Sequence, residues 1–206
     1  MLADGMGFFP MLSILERVEK LFARPYFFEE RSAILYLEEI RWGKTIECPH
    51  CGNNSNIYSV KSPNRYGQKK CGRCYKTFNV KTNTIFMESK IQIYKWLRYI
   101  YLYYFSKKPL GIVDYCLFVN ISYKTSWRIS NELHSIKQRK DIYELLFDDF
   151  NNEAKNNLVR NKKMLINTED RSQNEINTMS IVNVSEDIFS KVLKEIITQE
   201  KDVYKR

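Results

Sequence analysis

The sequence lacks any long hydrophobic run. Its most apolar segment, IYKWLRYIYLYYF (93–105), is too short to span a bilayer and contains Lys95 and Arg98. A secretory signal is missing as well, because the apolar stretch MGFFPMLSIL is interrupted by Pro10 and follows Asp4 instead of a basic segment. These absences argue against a membrane protein and against secretion, so we expect a soluble, intracellular protein.

Acidic residues are scarce in the middle of the chain. Residues 41–140 contain 19 Lys and Arg but only 4 Asp and Glu, whereas residues 141–206 contain 10 basic and 13 acidic residues. The excess of positive charge is therefore confined to one region, which predicts that this region contacts a polyanion. The alternative is a basic surface that is merely solvated.

Cysteine is also scarce, and four of the five cysteines fall in two pairs with the spacing C-x2-C-x19-C-x2-C. A disulfide is improbable in a reducing compartment, and the odd cysteine count argues the same way. Four thiolates on two tight turns suit a structural Zn²⁺ with a closed coordination sphere, although the spacing alone leaves an iron–sulfur centre open. We predict the metal ligands to be Cys48, Cys51, Cys71 and Cys74. His50 is expected to be a solvent-facing bystander, and Cys116 a small buried thiol.

Helical and strand patterns surround the cysteine segment. Apolar spacing predicts helices over 11–24, 28–40, 90–106, 111–117, 122–138 and 186–199, and short strands over 56–60, 66–70 and 75–80. Ser89 is the predicted N-cap of the helix over 90–106. We therefore expect a mainly α fold of the α+β class, with a small β-rich zinc ribbon, flanking helices and a three-helix unit. A largely disordered, Asn-rich tail should end in one helix.

These patterns predict four regions along the chain. The N-terminal helices occupy 1–44, the zinc ribbon 45–88, the three-helix unit 89–140 and the polar tail 141–206.

The last two helices of the three-helix unit are separated by a short turn, an order typical of the helix-turn-helix motif. On a helical wheel, Ile129, Leu133 and Ile136 share one face of the last helix. The opposite face offers Lys and Arg for phosphate or guanine and Asn for adenine. We predict DNA contacts by four residues of this helix and three of the ribbon: Tyr123, Lys124, Arg128, Asn131, Lys69, Lys70 and Arg73. The competing interpretation is an ordinary three-helix packing unit with a solvated polar face.

Two aromatic features need separate interpretation. Trp127 lies on the polar side of the last helix, where it either packs against the ribbon or touches nucleic acid. The tyrosines of 94–105 could stack on bases. Their helical spacing instead predicts a position in the core.

Four phrases, RWGKTIECPHCG, KKCGRCYKTFNVKTNTIF, SKIQIYKW and NISYKTSWRISNELH, resemble in content and order the N-terminal part of a group of bacterial insertion-sequence transposases. The resemblance covers roughly residues 26–137. It implies that the four paired cysteines bind zinc and that the helix near 122–138 engages the terminal sequence of a mobile element. Asn83 stands where we expect glycine, and Asn can adopt the same left-handed backbone.

In those transposases a ribonuclease-H-like DDE nuclease domain follows the helix-turn-helix, and its carboxylates come from distant segments. Residues 141–206 are too few for such a domain, and Asp148 and Asp149 lie in YELLFDDF, whose pattern predicts a continuation of the preceding helix. The resemblance therefore implies a truncated or repurposed transposase-like protein that binds double-stranded DNA sequence-specifically and is not itself a nuclease. Its expected location is the bacterial cytoplasm, associated with the nucleoid.

Two alternative functions stay open. The chain could be the DNA-recognition part of a split or frameshifted active transposase, or a zinc-stabilised module that binds protein or RNA. The sequence also leaves a homo-oligomer open.

Overall fold

The computed structural model describes residues 19–61, 66–106, 110–137 and 185–199. After a 3₁₀ turn (Pro25–Phe27), its elements in chain order are α1 (Glu30–Trp42), β1 (Ile57–Ser59), β2 (Lys69–Cys71), β3 (Thr77–Phe78), α2 (Ile93–Phe105), α3 (Ile112–Val119), α4 (Tyr123–Lys137) and α5 (Glu186–Gln199). The strands form one antiparallel sheet in the order β1-β2-β3. The predicted fold class, mainly helical with a small sheet, is confirmed.

Helix α2 lies at the centre of the larger hydrophobic core. Nine of its residues are buried, and α1 and α3 both pack against it. The prediction that its tyrosines belong to the core is confirmed, because Tyr99, Tyr101 and Tyr104 are buried, while Tyr94 and Tyr103 are partly buried and pack against the same core. Each large side chain removed from water contributes on the order of 2 kcal/mol, so this helix supplies much of the stability of the fold.

Helix α5 closes the same core through an aromatic ring. Phe189 is buried and its ring centroid lies 5.5 Å from that of Phe27, 5.3 Å from that of Tyr101 and 6.2 Å from that of Phe105. These partners come from the 3₁₀ turn and α2, while α1 contacts α5 directly. The predicted terminal helix over 186–199 is thus confirmed, and it is packed into the core.

The start of α2 differs from the prediction. The helix begins at Ile93, and Ser89 is not its cap: the Ser89 hydroxyl accepts a hydrogen bond from the Trp96 indole nitrogen at 2.9 Å. Instead, a carboxylate oxygen of Glu30 accepts from the backbone amide of Tyr94 at 3.3 Å. Free amides at a helix start need acceptors, and here α1 supplies one from a distant part of the chain.

The three strands are shorter than predicted, and β3 begins at Thr77 because the second C-x-x-C turn occupies the chain between β2 and β3. Within the predicted helix over 11–24, residues 19–21 are helical, and residues before 19 lie outside the described part. The tail is predicted to be largely disordered, and its residues other than 185–199 also lie outside the described part of the chain.

In the four described ranges, no helix combines the length and apolarity needed to cross a bilayer.

Replacing Phe189 with alanine should lower the free energy of unfolding by about 3–5 kcal/mol, because a fully buried ring leaves a cavity among aromatic neighbours. The matched control is Phe28→Ala, since Phe28 is 53% exposed and should cost less than about 0.5 kcal/mol. Urea denaturation followed by circular dichroism measures both changes. Equal stability of the two variants would mean that α5 does not close this core.

Candidate metal centre and nucleic-acid interface

The two C-x-x-C turns, here called the first knuckle (48–53) and the second knuckle (71–76), have matching hydrogen bonds. In the first, the Cys48 amide donates to the Asn53 carbonyl at 2.9 Å and the Gly52 amide donates to the Cys48 carbonyl at 2.9 Å. In the second, the Cys71 amide donates to the Lys76 carbonyl at 3.1 Å and the Tyr75 amide donates to the Cys71 carbonyl at 3.0 Å. Each knuckle therefore turns its two thiols to one side by the same backbone path.

The residue after the second cysteine takes a positive φ in both knuckles. Gly52 has φ +71°, and Tyr75 has φ +59°. Glycine adopts this conformation without a steric penalty, whereas a side chain with a Cβ does not. Gly72 serves a different purpose, because a Cβ there would come within 3.0 Å of the Asn56 Cβ and of the Tyr58 ring.

The four thiols converge on one point. The sulfur of Cys48 lies 3.7 Å from that of Cys74, and the sulfur of Cys51 lies 3.6 Å from that of Cys71. All four sulfurs lie within 4.8 Å of one another, and none of these cysteines is disulfide-bonded. A tetrahedral ion with Zn–S bonds of about 2.3 Å places its sulfurs about 3.8 Å apart, so the arrangement fits one Zn²⁺.

Backbone hydrogen bonds prepare one of these thiols for metal binding. The amides of Cys74 and Arg73 donate to the sulfur of Cys71 and hold the pKa of that thiol at about 6. Burial acts in the opposite sense at Cys48 and raises the pKa of its thiol to about 12. Metal ligands must be thiolates, so the charge of the ion is needed to ionise Cys48.

The donor set determines what a metal would do here. Four thiolates would fill the coordination sphere of Zn²⁺ and leave no position for substrate, which is the pattern of a structural site. A cluster of several irons would hold the sulfurs further apart, because each thiolate would bind a different iron.

His50 is exposed and is not one of the clustered groups, as predicted. Cys116 is only half-buried on α3, so the prediction that it is a buried thiol is wrong.

An aromatic contact and an ion pair are among the contacts that join the ribbon to α1. The rings of Trp42 and Phe78 meet edge to face with centroids 5.9 Å apart. The ammonium of Lys69 lies 2.7 Å from a carboxylate oxygen of Glu38, and Lys69 is only 6% exposed. The prediction that Lys69 contacts DNA must therefore be corrected, because its charge is buried and neutralised inside the protein.

Lys70 and Arg73 differ from Lys69, since both are exposed. Side chains alternate between the two faces of a strand, so the residue next to a buried lysine points to solvent. In the sheet Lys70 pairs with Tyr58 of β1 and with Thr77 of β3, and all three are exposed. These two basic residues remain predicted DNA contacts.

Helix α4 separates into a buried and an exposed face, as predicted. Ser126, Ile129, Leu133 and Ile136 are buried. Exposed residues occupy the other face, and they include Trp127 and the four predicted DNA contacts of this helix, Tyr123, Lys124, Arg128 and Asn131. Trp127 is 55% exposed, so it does not lie buried against the ribbon.

Polar contacts fix α4 against the preceding helices. Asn120 ends α3 in the left-handed conformation with φ +56°, and the Lys95 ammonium donates to its carbonyl at 2.8 Å. The Tyr99 hydroxyl donates to the Ser126 carbonyl at 2.9 Å, and the Tyr99 ring stacks on Tyr115 at 4.2 Å. Burying a hydroxyl requires such a partner, so this bond specifies how α4 sits on α2.

Two features of the site were missed from the sequence. The partner of Lys69 is Glu38, and no local pattern links residues so far apart. The positive φ of Tyr75 could have been found, because its position in the second knuckle is the position of Gly52 in the first. Asn83, expected to adopt a glycine-like backbone, does so with φ +56°.

The protein should bind one zinc ion per chain, and stripping the metal with a chelator should unfold the ribbon, because zinc contributes on the order of 10 kcal/mol to such modules. Cys71→Ser should lose zinc, whereas Cys116→Ser, the same change at a cysteine outside the cluster, should keep it. Elemental analysis with circular dichroism measures both. Full zinc occupancy in Cys71→Ser would contradict the assigned ligand set.

Lys69→Ala should lower the free energy of unfolding by about 2 kcal/mol, because it leaves the mostly buried carboxylate of Glu38 without its hydrogen-bond partner. Lys70→Ala, one residue away on the exposed face, should change stability by less than about 0.5 kcal/mol. Thermal or urea unfolding of the zinc-loaded variants distinguishes the two positions. Equal effects would indicate that the ion pair contributes nothing to folding.

Comparison with known proteins agrees with the metal geometry. Residues 29–77 match the transposase zinc-ribbon domain of the IS1595 type. The chain is also similar to an uncharacterized protein in transposable element ISH50 of Halobacterium salinarum, with 32% identity over 108 residues. That match covers 50% of this chain and 34% of the relative, so the chain spans about a third of the relative's length. No solved structure matches the chain. The chain carries a transposase zinc-ribbon domain, in which four cysteines are clustered to bind a structural Zn²⁺.

Proposed function

We propose that the chain binds double-stranded DNA sequence-specifically, with α4 in the major groove and the zinc ribbon on the flanking backbone. The observation that carries the proposal is the exposed face of α4. Lys124, Arg128 and Asn131 project from it, while the opposite face is fixed in the core. A rigid helix with base-reading side chains on its free face is what major-groove recognition requires.

The side chains of α4 suit distinct tasks on a duplex. Arg128 can pair with the two acceptors of guanine and Asn131 with the adenine edge, whereas Lys124 near the helix start suits a phosphate. Tyr123 and Trp127 are 60% and 55% exposed, so their rings are free to pack on sugars or on thymine methyl groups. These roles assign specificity to the centre of α4 and affinity to its start.

The charge distribution supports a nucleic acid as the partner. Residues 41–140, which include the ribbon and α4, carry 19 basic and 4 acidic residues. Release of counterions from the DNA phosphates would then supply most of the nonspecific affinity.

The DNA that we propose is the inverted-repeat end of a mobile element. The match of residues 29–77 to a transposase zinc ribbon supports this choice, as does a relative described as a protein in a transposable element. Binding at such an end, without strand cleavage by this chain, would make the protein an occupant or repressor of the site. The DNA-recognition role in a split transposase uses the same surface and differs only in needing a separate nuclease.

The zinc-loaded protein should bind a duplex taken from the DNA flanking its gene more tightly than a scrambled duplex of equal length. Affinity should fall steeply with salt, and Lys124→Ala should reduce the slope of log K against log salt by about 1. Arg128→Ala and Asn131→Ala should reduce discrimination between the two duplexes by about 1–3 kcal/mol each. Fluorescence anisotropy over a range of salt concentrations measures these quantities.

The matched control for Lys124 is Lys20→Ala, an exposed lysine in the N-terminal helical segment. It should leave both affinity and salt slope unchanged. A flat salt response of the wild-type protein, or equal binding of both duplexes, would refute sequence-specific DNA binding and favour a protein- or RNA-binding module. Incubation of the complex with Mg²⁺ or Mn²⁺ tests for nuclease activity, because cleavage by the chain alone would contradict both a role limited to binding and a split transposase with a separate nuclease.

A further inference from the structure

Tyr75 occupies a position where the backbone favours glycine. The first and second knuckles follow the same hydrogen-bonded path, and the residue after the second cysteine has φ +71° at Gly52 and φ +59° at Tyr75. A left-handed conformation crowds a Cβ against the following carbonyl. The second knuckle therefore keeps a large side chain at a conformational cost that the first knuckle avoids.

The knuckle explains the backbone conformation of Tyr75, but nothing in the described part of the chain explains why a large side chain stands there. The Tyr75 side chain is 73% exposed, and no aromatic ring or cation stacks on it within the described residues. Its ring neither fills the core nor approaches the four sulfurs as a ligand. A strained residue that is retained without an internal benefit points to an external partner.

The surroundings of Tyr75 identify the chemistry of that partner. Its neighbours form what we call the second-knuckle surface, which consists of five exposed residues: Tyr58, Lys70, Arg73, Tyr75 and Lys76. No acidic residue occurs between positions 66 and 87, so this surface carries only positive charge. By contrast, Pro49 and His50 of the first knuckle line a cavity of about 370 Å³ together with Lys194 of α5. The first knuckle therefore faces α5 across this cavity.

We propose that the second-knuckle surface grips the sugar–phosphate backbone of the bound duplex and that Tyr75 is its anchor. The Tyr75 hydroxyl donates to a phosphate oxygen, its ring packs on deoxyribose, and the flanking cations neutralise adjacent phosphates. The Tyr58 ring extends the same surface, since it lies directly over Gly72. This inference rests on the proposed DNA binding and adds a contact that carries no charge.

The experiment uses a substitution that relieves the backbone strain at position 75 and removes the aromatic ring at the same time. Tyr75→Gly should keep the full zinc content and a Tm equal to or above that of the wild type. Its Kd for the flanking duplex should rise about tenfold at fixed salt, because a hydrogen bond to a charged acceptor is lost. The salt slope should stay unchanged, since no cation is removed. Tyr75→Asn, which also tolerates a positive φ, should behave in the same way.

Two further variants make the comparison specific. Arg73→Ala should weaken binding and reduce the salt slope by about 1, which distinguishes a cationic contact from that of Tyr75. Tyr66→Ala is the matched control, because Tyr66 is another exposed ribbon tyrosine, 43% exposed, whose ring lies 5.0 Å from the guanidinium of Arg31. Its Kd should equal that of the wild type.

The outcomes separate this inference from the proposed function. If Tyr75→Gly binds the duplex like the wild type while Lys124→Ala binds more weakly, the anchor is refuted and DNA binding by α4 stands. If Tyr75→Gly loses zinc or its Tm falls, the ring serves the fold and the inference is overturned. If the wild type binds no duplex, both proposals fail together.

Discussion

The convergence of four thiols on one point is the constraint on which the ribbon depends. Among the described residues, the ribbon's own hydrophobic cluster contains three buried ones, Cys48, Cys71 and Phe78, and two of these are metal-binding candidates. Its strands are three, three and two residues long, too short to hold a sheet together by hydrogen bonds alone. A zinc ion bound by thiolates therefore takes the place of a core, and its binding free energy becomes the folding free energy of this segment.

Contacts with α1 and with the chain that leads to α2 hold that metal centre in place. Trp42 at the end of α1 packs edge to face on Phe78, and Glu38 of the same helix pairs with Lys69 of β2. On the other side of the ribbon, the side-chain amide of Asn83 donates to the backbone carbonyl of Pro49 within the first knuckle at 3.1 Å. The chain leaving the ribbon toward α2 is thereby held by the ligand loop itself. A shift of the knuckles would be transmitted to both ends of the ribbon, so metal binding and helix placement are linked.

The sequence predicted those features whose signals are local or periodic. The C-x-x-C spacing indicated the metal site, and 3.6-residue periodicity separated the faces of α4, because both patterns report on neighbouring residues. Long-range partners left no such signal: Glu38 neutralises Lys69 from 31 positions away, and Glu30 supplies an acceptor for the start of α2 from 64 positions away. Ser89 had the right residue type for a cap, but the helix begins only at Ile93, and the Ser89 hydroxyl accepts from the Trp96 indole and the Ile91 amide instead. Tertiary contacts decided these cases.

Strand β2, with the sequence KKC, explains why a count of basic residues overstates a binding surface. Alternation along a strand puts Lys69 and Cys71 on the buried side and Lys70 between them on the exposed side. The buried lysine is tolerated because a carboxylate meets it at 2.7 Å, and it then holds the ribbon to α1. Two adjacent lysines of equal charge thus have separate roles, one in stability and one at the surface. Cys71 must face inward to reach the metal site, and this requirement sets which side of the sheet each residue of β2 faces. Lys69 therefore faces inward, and Lys70 is the lysine that can contact a polyanion.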